Sequence, residues 1–358
     1  MAHRVFVHIG APKSGTTYLQ SVLWNNRSQL AAHRLLMPGD QIFDHELAVT
    51  AARHPQPRNP HQRRARRTWR RMHEAIAGFD GDAVLSNEWF VWLTRPQAQQ
   101  FLDGLAPAEV HVVFTARSFA HQIPAAWQER LKLGIAYTFD EFLASLDRHD
   151  DRWTWAALDP AIALPRWADP LPADRIHVVT VPPRGQDPGQ LWQRMAAVLE
   201  IDPDAYDTTR TDPNESLGAE TARLLQRLGP TLRSAIDADQ VKWTEQYRWL
   251  RRYVGHQLLV PRGGTRIRVS DEHLTALHTR AMGTVESIKS AGYRIEGDLD
   301  DLVDAQVPAE SRTPDSVTDA EQLDAAVDLI GDLLRDVRRQ TLRAEAAERR
   351  RAEPGDTE

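Results

Sequence analysis

One segment near the amino terminus constrains the fold more than any other, and it reads Val5-Phe-Val-His-Ile-Gly-Ala-Pro-Lys-Ser-Gly-Thr-Thr-Tyr-Leu-Gln20. Its first part is β-branched and apolar, which predicts a strand buried on both faces of a sheet. Leu19, Val22 and Leu23 then recur at helical spacing. A glycine where such a strand turns into a helix lets the backbone approach an anion, towards which the first amide groups of the helix point. The segment therefore predicts a phosphate-binding loop.

The order of residues in this loop separates it from the commonest nucleotide loop. A Walker-type loop has its lysine after the second glycine, followed by a hydroxyl that holds magnesium. Here Lys13 precedes Gly15, and it is one of only four lysines in the chain. The loop therefore predicts an anion site in which Lys13 supplies the full positive charge.

Two further strands end in residues that could serve the same site. Val110 to Ala116 is an apolar run followed by Arg117, and Ala83 to Leu85 leads to Glu88. Ligands of open parallel sheets bind beyond the carboxyl ends of the strands, so Lys13, Arg117 and Glu88 should meet at one edge. His8 lies inside the first strand, where a core imidazole is expected. No cysteine is present and no histidine has a metal-ligand spacing, so no metal site is predicted.

The three segments together resemble the sulfotransferases that use 3′-phosphoadenosine 5′-phosphosulfate (PAPS), in particular a bacterial branch. The resemblance covers roughly residues 1–303. It implies that the PAPS phosphosulfate is bound by the loop residues Lys13, Ser14, Gly15, Thr16 and Thr17, with Tyr18 near the adenine. It implies that Arg117 binds the 3′-phosphate, that Lys13 neutralises charge on the bridging oxygen and that Glu88 is the general base.

Two positions leave this assignment open. Position 125 is Ala where the family has Ser, so the 3′-phosphate site must be completed by Gln122, Arg130, a backbone amide or the later Gly-rich loop with Arg262. His45 resembles a residue that approaches the acceptor in related proteins, and it is the rival to Glu88 as base or acceptor contact. The implied acceptor is a hydroxyl, or an amine, of a small molecule, a glycan or a lipid.

The expected fold is α/β, with a P-loop-like open parallel sheet flanked by helices and a helical carboxyl-terminal extension. We expect one domain over 1–303, with a helical insertion at about 40–80 and a helical acceptor wall at about 201–303. Residues 304–317 read as a linker, and 318–358 as a helix and charged tail. Leu323, Val327, Ile330, Leu334 and Val337 form a short coiled-coil-like seam in that helix, so docking on its own domain and a homodimer are both expectations.

Composition narrows the functional classes. The net charge of −6 argues against a nucleic-acid partner, and the amino terminus lacks a long apolar stretch, so we expect a cytoplasmic protein with no integral membrane segment. A helix within 61–78 carries an arginine stripe, which is either a solvated face or an attractant for an anionic acceptor or lipid surface. Two other functions stay open: a magnesium-dependent kinase or NTPase with an atypical loop, and a non-catalytic PAPS-binding protein.

Overall fold

The computed structural model describes residues 2–148, 153–169, 171–187, 189–209, 216–307 and 309–352. By compactness the chain divides into two units. The first unit comprises Met1–Ala126, Asp140–Asn214 and Asp271–Gln306. The second comprises Trp127–Phe139, Glu215–Ser270 and Val307–Glu358.

The strands of the described chain are β1 Arg4–His8, β2 Leu35–Leu36, β3 Asp82–Ser86, β4 Glu109–Ala116, β5 Ile176–Thr180, β6 Arg266–Ile267, β7 Arg294–Glu296 and β8 Ser311–Arg312. The α-helices are α1 Thr16–Asn25, α2 Arg27–Ala32, α3 Asp44–Arg53, α4 Pro60–Gly78, α5 Arg95–Asp103, α6 Phe119–Lys132, α7 Phe139–Ser145, α8 Trp155–Leu158, α9 Pro160–Ala163, α10 Pro165–Ala168, α11 Gly189–Leu199, α12 Ala219–Ala235, α13 Trp243–Gln246, α14 Asp271–Ala291, α15 Asp300–Val303 and α16 Asp319–Ala352. A π-helix spans Tyr247–Leu259, and 3-10 turns occupy Glu88–Trp92, Ala173–Arg175, Pro203–Ala205, Val260–Arg262 and Pro314–Ser316.

The first unit is built on a parallel sheet of six strands in the order β2-β3-β1-β4-β5-β7. The α/β class and the parallel sheet flanked by helices are therefore confirmed. Strand β1 lies near the middle of the sheet. The next strands in the chain, β2 and β3, lie on one side of it, whereas β4, β5 and β7 lie on the other. Such a reversal of strand order opens a crevice between β1 and β4 at their carboxyl ends, where open α/β sheets bind ligands.

Helices cover both faces of this sheet, which explains why its central strands are mostly apolar. Alternate residues of β1 point to opposite faces. Val5 and Val7 pack with Phe90, Phe101 and other buried residues on one face. Phe6 packs on the other face, against a cluster that includes residues of α1 and α11, among them Leu19, Leu23, Leu191 and Trp192. This double covering holds β1 and the loop that follows it in a rigid frame.

The helical insertion contains α3 and α4. Helix α4 begins with Pro60, a favoured first helical residue, and Asn59 caps it by accepting a hydrogen bond from the Gln62 amide at 2.9 Å. Ala65, Met72 and Ile76 are buried. These residues form the buried face of α4.

The second unit holds α12, the π-helix, the short parallel pair β6-β8 and α16. Strand β8 and its neighbours fall in the stretch expected to be a linker, and Arg312 donates a hydrogen bond to Glu321 at 2.6 Å there. This division into two compact units differs from the one predicted from the sequence, in which residues 1–303 form a single domain. The end of the predicted charged tail, from 353 onwards, lies outside the described residues.

Candidate functional site

The loop between β1 and α1 has the backbone geometry of an anion cradle. Lys13 has φ of 64° and Gly15 has φ of 82°, so both are left-handed, and Gly15 is the residue from which α1 starts. In the described chain no side chain caps this helix start, whose amide groups and dipole therefore favour an anion. A non-glycine residue at positive φ costs free energy and is frequent at functional sites.

Two side chains, one just after β4 and one on α6, hold the loop in place by hydrogen bonds to its carbonyl groups. Gln122 donates a hydrogen bond to the Pro12 carbonyl at 2.8 Å, and Arg117 Nη1 donates one to the Lys13 carbonyl at 3.0 Å. In a planar trans peptide the N–H points away from the C=O. Holding these two carbonyls therefore turns the amides of Lys13 and Ser14 to the opposite side of the loop.

A buried polar network lies beneath the loop. Thr115 Oγ1 donates to the Gly10 carbonyl at 2.9 Å and lies 2.6 Å from Ser14 Oγ. The His8 ring bridges Ser86 Oγ at 2.7 Å and Thr115 Oγ1 at 3.3 Å, and burial lowers the pKa of His8 to about 3. Ser14 also donates to the Ala11 carbonyl at 2.5 Å. The hydroxyl of Ser14 therefore shapes the loop from inside, and only its amide faces the cradle.

Positive charge gathers beside Arg117. Burial, together with the nearby Arg184, lowers the pKa of Arg117 to about 10, so the guanidinium stays charged at neutral pH. Burial and the two arginines lower the pKa of His121 to about 4. A buried guanidinium beside a second one is a site at which an anion is stabilised strongly, because little water screens the charges.

One carboxylate approaches this positive cluster. His121 Nε2 lies 3.5 Å from Asp304 Oδ2, and Ser118 Oγ donates to the Asp304 carbonyl. Apart from this contact with each other, His121 Nε2 and Asp304 Oδ2 have no hydrogen-bond partner among the described residues, and neither does the buried atom Gln122 Oε1. Buried polar atoms without partners are uncommon and often mark a place where a ligand or water completes the structure.

Glu88 stands against the other side of the loop. It begins the 3-10 turn after β3, and Gln20 Nε2 from α1 donates a hydrogen bond to its Oε2 at 2.9 Å. A Cβ placed on Gly10 would lie 3.3 Å from Glu88 Cβ. The β1 loop therefore passes close to Glu88 at Gly10, whose φ of 119° also favours glycine. The structure brings Glu88, Lys13 and Arg117 to the same edge of the sheet.

His45 is held differently from Glu88. It is fully buried, its Nε2 lies 2.8 Å from the Pro38 carbonyl, and its Nδ1 accepts the Ser86 amide at 3.0 Å. Burial lowers its pKa to about 4, so the ring is neutral with the hydrogen on Nε2. Both ring nitrogens make hydrogen bonds to backbone groups, so His45 holds the end of β3 in place.

The remaining predicted site residues fall in three environments. Thr17 is exposed and Thr16 is buried at the start of α1. Tyr18 is half-buried, and burial together with Asp187 raises its pKa. Arg262 belongs to the second unit, where it forms ion pairs with Asp328 at 3.0 Å and with Asp332. Its guanidinium is therefore engaged by α16.

The arginine stripe of α4 lies in water. Its arginines are exposed, and some of them have acidic partners: Arg71 pairs with Asp40 at 3.0 Å, and Arg70 lies 3.8 Å from Glu74. Nearby positive charge also helps to lower the pKa of His54, after burial as the larger cause. The exposed stripe comprises Arg63, Arg64, Arg66, Arg67, Arg70 and Arg71.

Sequence reasoning missed Arg184, His121 and Gln20. Arg184 follows β5, the strand beside β4, by four residues, so the rule that located Arg117 could also have located it. His121 and Gln20 sit on helices, where neither has a sequence signal of its own. Their roles appear only once the sheet order is known.

Among the described residues, no group of three or more His, Asp or Glu side chains is arranged to hold a metal ion. None of the helices described combines the length and apolar character needed to cross a bilayer. No family model matches the chain, and comparison with curated proteins finds no match either.

Proposed function

We propose that the protein transfers a sulfuryl group from PAPS to a hydroxyl, or an amine, of an acceptor. The observation that carries the proposal is the loop from Gly10 to Thr17, a left-handed cradle with Lys13 in it, fastened to Arg117 at the switch point of a parallel sheet. The order of Lys13, Ser14 and Gly15 matches the sulfotransferase loop.

The residues present fit a donor with two separate phosphate groups. The amides at the start of α1 and the side chain of Lys13 suit the 5′-phosphosulfate. Arg117, buried beside Arg184, suits the 3′-phosphate, because a guanidinium can bond two phosphate oxygens at once. The donor supplies the sulfuryl group and leaves as adenosine 3′,5′-bisphosphate.

Arg184 and His121 offer an answer to the replacement of the expected Ser by Ala125. Both lie close enough to Arg117 to lower its pKa or have their own lowered by it. In the described part of the chain, the buried atom His121 Nε2 has a carboxylate oxygen of Asp304 at 3.5 Å and no hydrogen-bond partner closer than that. We assign the missing 3′-phosphate contact to these two residues.

Glu88 is the base in this proposal. The amide of Gln20 fixes one carboxylate oxygen, Oε2, which orients the other towards the acceptor. Glu88 would accept the proton of the acceptor hydroxyl as the oxygen–sulfur bond forms. His45 is less suited, because both of its ring nitrogens hold backbone groups.

Lys13 would stabilise the charge that grows on the oxygen between phosphorus and sulfur. Group transfer of this kind depends on position and electrostatics more than on covalent chemistry with the protein. The hydrogen bond from Arg117 to the Lys13 carbonyl fixes the backbone from which the Lys13 side chain extends. Arg117 would therefore serve both to bind phosphate and to position Lys13.

The test is an incubation with PAPS that carries radiolabelled sulfur, in the presence of EDTA and an extract containing candidate acceptors. We expect labelled product with the wild-type protein and a loss of at least about a hundredfold with Lys13→Ala. Binding of PAPS without any labelled product would favour the non-catalytic alternative. Hydrolysis or transfer from ATP that EDTA abolishes would favour the kinase or NTPase alternative.

A further inference from the structure

Helix α16 has two faces with opposite surroundings. One face packs on the rest of the second unit. On this face Leu329 is 5% exposed, Gln322 is 6% exposed, and Tyr253 donates a hydrogen bond to Asp336 at 3.0 Å. The ion pairs of Arg262 add to this face. These contacts fix the rotation of the helix about its own axis.

The other face is apolar and open to water. Each of five large apolar side chains is 59% exposed or more, and they are Leu323, Val327, Ile330, Leu334 and Val337. Their spacing alternates between four and three residues, which is the d-a-d-a-d pattern of a coiled-coil seam. A row of large apolar side chains exposed on one face of a helix is typical of an interaction site. A helix with the same repeat is the partner that fits such a seam.

We propose that α16 pairs with α16 of a second copy of this chain, in antiparallel orientation. This inference does not depend on the proposed catalytic function. The antiparallel alignment centred on residue 332 matches d positions with a positions. Val327 then faces Val337 of the second copy, and Ile330 faces Leu334 of the second copy.

The charges beside the seam favour this orientation. Asp324 and Arg338 occupy e positions, and e positions of antiparallel helices face each other. The alignment therefore brings Asp324 to Arg338 of the second copy, and the two-fold symmetry makes this pair twice. In a parallel pair, e faces g, so Asp324 would meet Asp319 of the second copy, a like charge.

Gly331 supports the same alignment. It is also an e position, and the antiparallel pair brings the two copies of Gly331 together near the two-fold axis. A Cβ added there would meet only the end of the Arg335 side chain, at 3.7 Å. The backbones can therefore approach closely at the centre of the seam, and a substitution at this position is tolerated within the monomer.

Sedimentation equilibrium at roughly 100 µM chain tests the pairing. We expect a mass of twice 40.6 kDa for the full chain. Leu334→Glu, at a side chain 68% exposed, should yield the monomer mass while the circular dichroism spectrum stays unchanged. Leu342→Glu is the matched control, because Leu342 is 47% exposed but lies outside the seam, and it should leave the dimer intact. A wild-type monomer, or equal effects of the two variants, would overturn the proposal.

The absence of cysteine from the chain makes the orientation testable by single-cysteine cross-linking. With a short bismaleimide, Gly331→Cys should give a covalent dimer. Thr341→Cys should not, because antiparallel pairing separates the two copies of residue 341 by about 27 Å along the helix. A parallel pair would place the two residues 341 in contact at an a position. Cross-linking at 341, or at neither position, would refute the antiparallel pairing.

Discussion

Replacement of Gly15 by Ala tests the geometry of the cradle most sharply. An L-residue at φ of 82° costs about 1–2 kcal/mol relative to glycine. The added Cβ would also lie 2.4 Å from Leu191 Cδ2, which belongs to the buried side chain of α11. Overpacking of this kind costs about 1–3 kcal/mol. We therefore expect Gly15→Ala to lower the free energy of unfolding by about 2–5 kcal/mol, and to weaken nucleotide binding.

Gly185→Ala is the matched control for this prediction. Gly185 has φ of 89°, and a Cβ there would meet nothing within 4 Å. The control therefore carries the backbone strain without the clash, and the change in unfolded-chain entropy is the same. The difference between the two variants should be the overpacking of Leu191, about 1–3 kcal/mol.

Urea denaturation followed by tryptophan fluorescence measures these differences, and a double-mutant cycle isolates the clash. In the presence of Leu191→Ala, the Gly15→Ala change should cost about as much as the control. If Gly15→Ala is no more destabilising than Gly185→Ala, or if the cycle shows no coupling, the close approach of α11 to the loop is wrong.

Three further results are expected. Arg117→Ala should weaken binding of adenosine 3′,5′-bisphosphate about ten- to a hundredfold in calorimetry, and an unchanged affinity would remove Arg117 from the site. Glu88→Gln should lower turnover of labelled PAPS about a hundred- to ten-thousandfold, whereas Gln20→Ala, which removes only the orienting amide, should lower it about tenfold; equal losses would deny Glu88 the role of base. Because the folded pKa values of His8 and His45 are about 3 and 4, below the unfolded 6.5, the unfolded chain binds more protons between these values. Stability should therefore fall as pH falls through this window, by about 2 kcal/mol per histidine between pH 7 and 5, and urea midpoints that do not change would contradict the buried neutral rings.

The central strands could be predicted because each is a mostly apolar run. Strands β1, β3 and β4 lie where that pattern placed them, since a strand covered on both faces is mostly apolar. The buried polar exceptions His8 and Thr115 make hydrogen bonds. The edge strands Leu35–Leu36 and Arg294–Glu296 are too short to show any period. Only pairing with their neighbours makes them strands.

The contacts around the loop show where sequence reasoning stops. The position of Lys13 before Gly15 indicated a cradle, but it gave no orientation for the Ser14 hydroxyl. That hydroxyl faces Thr115, a residue 101 positions away in the chain. No local pattern encodes such a contact, because it depends on the register between β1 and β4.

Arg262 illustrates a second limit. Its glycine-rich surroundings resembled a phosphate-binding loop, but the arginine pairs with Asp328 and Asp332 on α16. A guanidinium has the same geometry for a carboxylate as for a phosphate, so residue type alone does not separate the two partners. The seam of α16, by contrast, could be read from its spacing, and its exposure is what the structure adds.

The most direct test of the proposed donor site is a calorimetric titration of the full chain with adenosine 3′,5′-bisphosphate and, separately, with AMP, both in EDTA. Our account predicts tighter binding of the bisphosphate by at least about tenfold, because Arg117 and its neighbours bind the additional 3′-phosphate. Equal affinities for the two nucleotides, or binding that requires added magnesium, would contradict it.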